Sequence, residues 1–414
     1  MDARATIRAY FRENRERIRK TIVDLTTEMC REKTVNVVSE KLSEHPYLKI
    51  RGEEYRVGVI VKRVLDKMGI PYSEHARMEG RPNIIGTVGK DESGRRLMMP
   101  AHMDIVPAGE GWDSDPFEVT EKDGFLYGRG TLDNKGPLAS ILAAAMALKE
   151  TGVGDMLKGQ FQVAALSDEE AEDPDGIDYG IGFLVEENLV NPTFAIIPDI
   201  GENMKGIDIA EKGRTVVKIT AKGKQAHGST PERGINAVYM MANLVTRIES
   251  MELDYVEHAV LGKPSLNLGE MHGGAAPNIV PGTAYVYLDI RTVPGMTKDS
   301  VLAQLKDLAA KVDGGVFEFD VMSWNEPHGI DPDNELVHAI KRNAKEVINL
   351  EPDAFGMGGG TYAKTMNLSG ILAVGWGPGD DEAFHVANEY VEIQQLLDFA
   401  EMTCLCAVDL LEVS

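Results

Sequence analysis

Apolar positions change their spacing twice along this chain. Residues 4–30 set apolar side chains at helical intervals among charged ones. Residues 52–68 do the same with Val57, Val59, Ile60, Val61, Val64 and Leu65, so two amphipathic helices are predicted. From residue 83 onward, strand patterns (83–88, 96–103, 160–166, 193–197) alternate with helical ones (136–150, 179–187). Strands alternating with helices imply a mostly parallel sheet covered on both faces.

Near Ile209 the pattern switches. The segment TVVKITA at 215–221 alternates as a half-buried strand. A helix at 234–249, strands at 266–271 and 283–291, a helix at 300–312 and a strand at 316–322 follow. That order, β-α-β-β-α-β, is ferredoxin-like. The first pattern then resumes with a helix at 335–347, a glycine-rich turn at 356–360, a strand at 371–375 and a last helix from 392. The expected fold is α/β. Residues 1–209 and 325–414 form a mostly parallel sheet flanked by helices, and residues 210–324 form an inserted ferredoxin-like α+β domain. A chain of 414 residues accommodates two or three domains.

Charge and cysteine content narrow the functional classes. The net charge of −23 repels nucleic acid and anionic lipid, so neither is an expected partner. No stretch approaches the roughly 20 apolar residues of a membrane-spanning helix. The N-terminus lacks the apolar core of a signal peptide. Three cysteines, Cys30, Cys404 and Cys406, do not make a disulfide framework, and they fit a reducing, cytoplasmic setting. The C-x-C pair reads as buried free thiols on the last helix.

Five short motifs carry candidate chemistry. In His102-Met103-Asp104, residues i and i+2 of a strand share a face, so Asp104 can hold the His102 ring for metal binding. In GRGTLDNKG (128–136), Asp133 stands just before a helix, where a carboxylate can bridge two cations or merely cap the helix. In Ser167-Asp168-Glu169-Glu170, one carboxylate suits a metal (Glu170) and its neighbour a general base (Glu169). The acidic residues that follow (Glu172, Asp173, Asp175, Asp178) read as a solvated loop without the ligand pattern of a calcium loop. Asp199 ends the strand pattern TFAII, and His385 lies beyond the strand pattern ILAVGWG. All six (His102, Asp133, Glu169, Glu170, Asp199, His385) fall at or beyond the C-terminal ends of predicted strands or at the start of the next helix. In an open parallel sheet those ends converge on one crevice. Two histidines and three carboxylates form a set suited to zinc, cobalt or manganese, and one shared carboxylate is enough to pair two ions.

Taken together, HMD, GRGTLDNKG, SDEE, PD, KGKQAHGSTP, PNIVPG, DIR, GGGTYAK and HVANEY resemble, in order and over nearly the whole chain, the ArgE/DapE/carboxypeptidase G/PepV family of co-catalytic zinc metallopeptidases and amino-acid deacylases. The resemblance implies two divalent ions, zinc first and cobalt or manganese as alternatives. His102 and Asp199 would hold one ion, Glu170 and His385 the other, with Asp133 bridging, Asp104 supporting His102 and Glu169 as base. It further implies a cis peptide after Asp133. An oxyanion-stabilising histidine is expected at His227, and substrate carboxylate contacts at Asn278 and Arg291. The backbone amides around Gly359, Gly360 and Thr361 could share that carboxylate. His227 is expected to act across a homodimer built through the inserted domain.

The substrate is expected to be a dipeptide or short peptide, since GGGTYAK and HVANEY resemble the PepV-like branch, with an N-acyl amino acid as the alternative. A non-catalytic binding protein on the same scaffold would be expected to have lost Glu169 or a ligand, and none is missing. A serine hydrolase has no G-x-S-x-G to stand on. His45, His75, His258, His272, His328 and His338 are given no catalytic role, although His272 in MHGGAAPN is the one to watch.

Overall fold

The structure is a computed structural model that describes residues 2–36, 53–170 and 177–413. It divides into two compact units. The first comprises Met1–Ile209, Ile330–Phe355 and Thr361–Ser414; the second comprises Ala210–Gly329 and Gly356–Gly360. His45 and the acidic residues Glu172, Asp173 and Asp175 lie outside the described residues. Among the described residues no helix is long and apolar enough to cross a membrane.

The sheet of the first unit runs in the order Tyr72–His75, Asn83–Gly89, Gln160–Leu166, Arg96–His102, Phe194–Ile197, Leu372–Gly375, Gly206–Glu211. Its four central strands are parallel, from Gln160–Leu166 to Leu372–Gly375. Antiparallel strands flank them on both sides. Fully buried strands need apolar residues on both faces. Alternate residues Met98, Ala164, Leu166, Ala195, Ile197 and Ala373 share one cluster with helices Ile181–Glu186 and Tyr362–Leu368. The intervening residues Leu97, Met99, Phe161, Val163, Phe194 and Ile196 are equally buried. Helix Lys135–Glu150, almost wholly buried, packs against helices Arg15–Arg31 and Ile393–Leu410. An Ala-rich helix that is apolar all round belongs in such a place.

Sequence periodicity and structure differ in instructive places. The helix expected over 4–30 is two helices, Ala3–Glu13 and Arg15–Arg31, which meet at Asn14. The strand Gly206–Glu211 was absorbed into the expected domain boundary. A small sheet of Thr120–Lys122, Phe125–Tyr127 and Tyr390–Glu392 joins the chain before the GRG turn to the chain after His385. Three-residue strands are too short to leave a period.

The second unit carries a four-stranded antiparallel sheet, in the order Ser265–Gly273, Thr283–Thr292, Gly213–Lys222, Phe317–Asn325. Helices Ala237–Glu249 and Lys298–Ala309 contribute to its core with Val217, Ile219, Val286, Leu288 and Ile290. In chain order this is β-α-β-β-α-β, with spatial order 2-3-1-4.

Candidate metal centre

His102, Asp104, Asp133, Glu169, Glu170, Asp199 and His385 all belong to the first unit. His102 closes its strand and is fully buried. Asp104 follows two residues later, also fully buried. Glu169 and Glu170 follow the strand Gln160–Leu166, and Asp199 lies two residues past Phe194–Ile197. The parallel register of these strands brings their C-terminal ends together.

Asp133 reaches this place through a glycine turn. Gly128 and Gly130 adopt φ of 152° and 90°, in the region that favours glycine. A Cβ on Gly136 would sit 2.0 Å from the Thr131 carbonyl oxygen, so no side chain fits there. The Asp133–Asn134 peptide is cis. The residue at the N-cap of helix Lys135–Glu150 is Asn134, which makes no side-chain cap bond. Asp133 is therefore not a helix cap; its carboxylate points at two histidines instead.

Those contacts have a definite pattern. Asp133 Oδ1 lies 2.7 Å from His102 Nε2, and Asp133 Oδ2 lies 3.0 Å from His385 Nε2. His385 Nε2 is also 3.0 Å from Glu170 Oε2. Asp199 Oδ1 is 3.6 Å from His102 Nε2 and accepts a hydrogen bond from Asn134 Nδ2 at 2.7 Å. Two donor triads result, His102–Asp133–Asp199 and Asp133–Glu170–His385, with atoms within 4.8 Å of one another in each. Asp133 belongs to both. A third triad joins His102, Glu169 and Glu170.

The support for His102 differs in detail from the sequence expectation. Its Nδ1 donates to the Asp104 backbone carbonyl at 2.9 Å, while the Asp104 carboxylate is 3.4 Å away. The carbonyl bond fixes the tautomer and leaves Nε2 free to bind a cation. The carboxylate does separate work. It accepts from the backbone N–H of Glu169 at 3.1 Å and of Glu170 at 3.0 Å, and from Asn36 Nδ2 at 2.8 Å. Asn36 in turn accepts from Arg81, which is ion-paired with Asp168. Asp104 thus cradles the turn that presents Glu169 and Glu170.

The electrostatics show what charge the cluster suits. Burial pushes Glu169 well above the usual carboxylate range, and the charge of Asp199 adds to it. Glu170 is pushed up to about 8 by burial and by Asp133. Asp199 is raised for the same two reasons. Asp133 and Asp104 stay low despite burial, Asp133 because hydrogen bonds from His102 and His385 outweigh it and Asp104 because its contact with His102 does. His385 is raised to about 10 by its bonds to Asp133 and Glu170. Burial opposes a charged His102, yet its bonds to Asp104 and Asp133 raise it well above the usual imidazole value. Glu170 Oε1 is buried without a hydrogen-bond partner among the described residues. Four carboxylates crowded in low dielectric need positive charge, and protons on the histidines supply it here. Two divalent cations would match four carboxylates charge for charge. The donor set, the shared carboxylate and the orphaned oxygen all fit such a pair.

His227 is exposed, and its Nδ1 accepts from the Ser229 backbone N–H at 3.1 Å with the Ser229 hydroxyl at 2.7 Å. Asn278 is exposed, and its backbone carbonyl accepts from Gly228 N–H at 2.8 Å. Arg291 is engaged, donating to Asp289 at 2.9 Å and to the Gly358 carbonyl at 3.0 Å. Gly359 and Gly360 belong to the second unit, while Thr361 caps helix Tyr362–Leu368 of the first. His272 stacks on Tyr285, with ring centres 4.9 Å apart.

Two groups escaped the sequence reading: the Asn36–Arg81–Asp168 network and the buried pair Arg129–Glu389, at 2.6 Å. Both Arg129 and Glu389 lie inside quoted motifs, but Glu389 accepts from backbone N–H groups and Arg129 donates to a backbone carbonyl, and backbone partners leave no residue-type signature.

A profile of the peptidase family M20/M25/M40 matches residues 98–408. An uncharacterised metallohydrolase of Methanocaldococcus jannaschii is 30% identical over 369 residues, covering 82% of this chain and 84% of that protein. An acetylornithine deacetylase of Myxococcus xanthus is 30% identical over 329 residues, covering 76% and 80%. Among solved structures, aminopeptidase PepT of Bacillus cereus superimposes with a TM-score of 0.72 at 21% identity, covering 95% of this chain and 99% of that one. At that identity the likeness is one of fold.

Proposed function

The chain belongs to the peptidase family M20/M25/M40, a family of metal-dependent hydrolases, and from that premise we propose that it cuts the amide bond of a dipeptide or short peptide. The observation that carries this reading is the pair of donor triads sharing Asp133. Bound there, two divalent ions, zinc foremost, would acidify an attacking water and polarise the scissile carbonyl.

The chain's own residues then have distinct tasks. His102 and Asp199 would hold one ion, and Glu170 and His385 the other. Glu169 takes the proton of the attacking water and returns it to the departing nitrogen. His227 donates to the oxyanion. With Nδ1 accepting from Ser229 N–H, the ring proton resides on Nε2, the atom needed for that donation. Arg291 and Asn278, with the Gly359–Thr361 amides, bind the substrate carboxylate. In this reading His227 serves the partner subunit of a cytoplasmic homodimer, and three buried free thiols suit a reducing compartment.

A second reading, hydrolysis of N-acyl amino acids, is favoured by the similarity to acetylornithine deacetylase. Steady-state rates on a panel of dipeptides against N-acetyl and N-succinyl amino acids separate the two. A requirement for a free α-amine supports the peptidase, and faster turnover of the acylated series rejects it.

A further inference from the structure

Glu389 is the fifth residue of the motif HVANEY, four after His385, and it is fully buried. Its Oε1 accepts three backbone N–H groups of the turn that carries Asp133: Gly130 at 3.0 Å, Leu132 at 2.9 Å and Asp133 itself at 3.1 Å. Its Oε2 accepts from Arg129 Nη1 at 2.6 Å. Arg129 is 1% exposed, lies 5.3 Å from the centre of the Trp112 ring and donates to the Ala108 carbonyl at 3.4 Å. The backbone carbonyl of Glu389 accepts from Gly128 N–H at 3.0 Å.

One side chain therefore clasps two loops that come from distant parts of the sequence. One loop holds Asp133 and the other holds His385, whose imidazole must meet the same carboxylate. Three N–H groups converging on one oxygen form an anion-binding nest. A charged acceptor makes such bonds shorter and stronger than a neutral one does. Arg129 balances the charge without adding a donor to the metal centre itself. With its own N–H bound, Asp133 cannot rotate its backbone away from the two histidines.

We propose that Glu389 is a positioning residue. It sets the register of Asp133 against His385 and thereby the affinity for the ion held by Asp133, Glu170 and His385. The inference rests on the reading that Asp133 bridges two ions. Loss of an outer partner of a metal ligand typically weakens binding about 10- to 100-fold.

The test is titration of zinc and of manganese into metal-stripped full-length protein, with dissociation constants read against a competing chelator. Glu389→Gln keeps the shape but turns an amide N–H₂ toward Arg129 or toward the turn. It is expected to weaken the ion held by Asp133, Glu170 and His385 at least about 10-fold, with circular dichroism unchanged. Glu389→Asp keeps the charge on a shorter arm and serves where the glutamine variant fails to fold; an intermediate loosening is expected. Glu401→Gln, which breaks the Arg8 ion pair at 2.7 Å on the last helix, is the control and should leave both affinities alone. If the folded Glu389 variants bind both ions within twofold of the parent, the proposal is wrong. Asp133→Ala is titrated alongside. Retention of both ions in that variant would overturn the bridging reading itself, a result distinct from tight binding by the Glu389 variants alone.

Discussion

At the scale of single residues, the centre depends on carboxylates held in states that water would not favour. Glu169 is assigned to neither ion in the proposed arrangement, and its expected contribution is proton transfer. Glu169→Ala should retain bound metal by elemental analysis while turnover falls about 100- to 10,000-fold. Near-parental turnover of the metal-replete variant would remove Glu169 from the mechanism. A pH dependence follows from His385, held at about 10, and Glu170, held at about 8, in the ion-free protein. Both keep protons that the unfolded chain releases nearer 6.5 and 4.5. Their stabilising contribution is complete below those unfolded values and is lost as pH rises through about 8 and then about 10. Binding a cation requires both protons to leave. The rise in Tm on adding zinc or manganese should therefore grow between about pH 6 and pH 9; scanning calorimetry showing an equal rise at both ends would contradict this. That these residues would gather in one place was legible in the sequence, because their types recur at predicted strand ends. Their supports were not: His102 is held by a backbone carbonyl and Asp133 by backbone amides, and any residue has those.

At the scale of elements, the site is placed by how strands end and how helix Lys135–Glu150 begins. Gly136 lets that helix start against the Thr131 carbonyl, and a methyl group at 2.0 Å has nowhere to go. Gly136→Ala should displace the Asp133 turn and cost about 1–3 kcal/mol of stability. A lowered Tm together with reduced metal content checks it; a variant with the parent's Tm and full metal would show that the turn yields without harm. Helices and central strands were readable because their apolar periods are long. The break at Asn14 and the three-residue strands beside His385 were not, since so few residues carry no period. The strand Gly206–Glu211 is fully buried although it carries Asp208 and Glu211, so its polar positions read as the boundary around it.

At the scale of the whole molecule, the ferredoxin-like unit bears on oligomeric state. If His227 acts on a partner subunit, Glu169→Ala and His227→Ala variants should each be nearly inactive alone. Mixed under conditions of subunit exchange, they should regain up to about a quarter of parental activity, since random pairing makes half of the dimers mixed, each with one intact site. Light scattering on the same samples reports the dimer, and a monomer with full activity would reject the arrangement. The ledger between sequence and fold then divides on physical grounds. Residue order and type by themselves determined the two fold patterns, the run of strand ends that could converge, and the chemistry of the donor set, because period and side-chain identity are local properties. Only the tertiary structure decided that Asp133 faces both His102 and His385, that Asp104 cradles the Glu169–Glu170 turn, and that Glu389 clasps loops some 250 residues apart in sequence. Those outcomes depend on strand register and on backbone groups in three dimensions, which no one-dimensional pattern encodes.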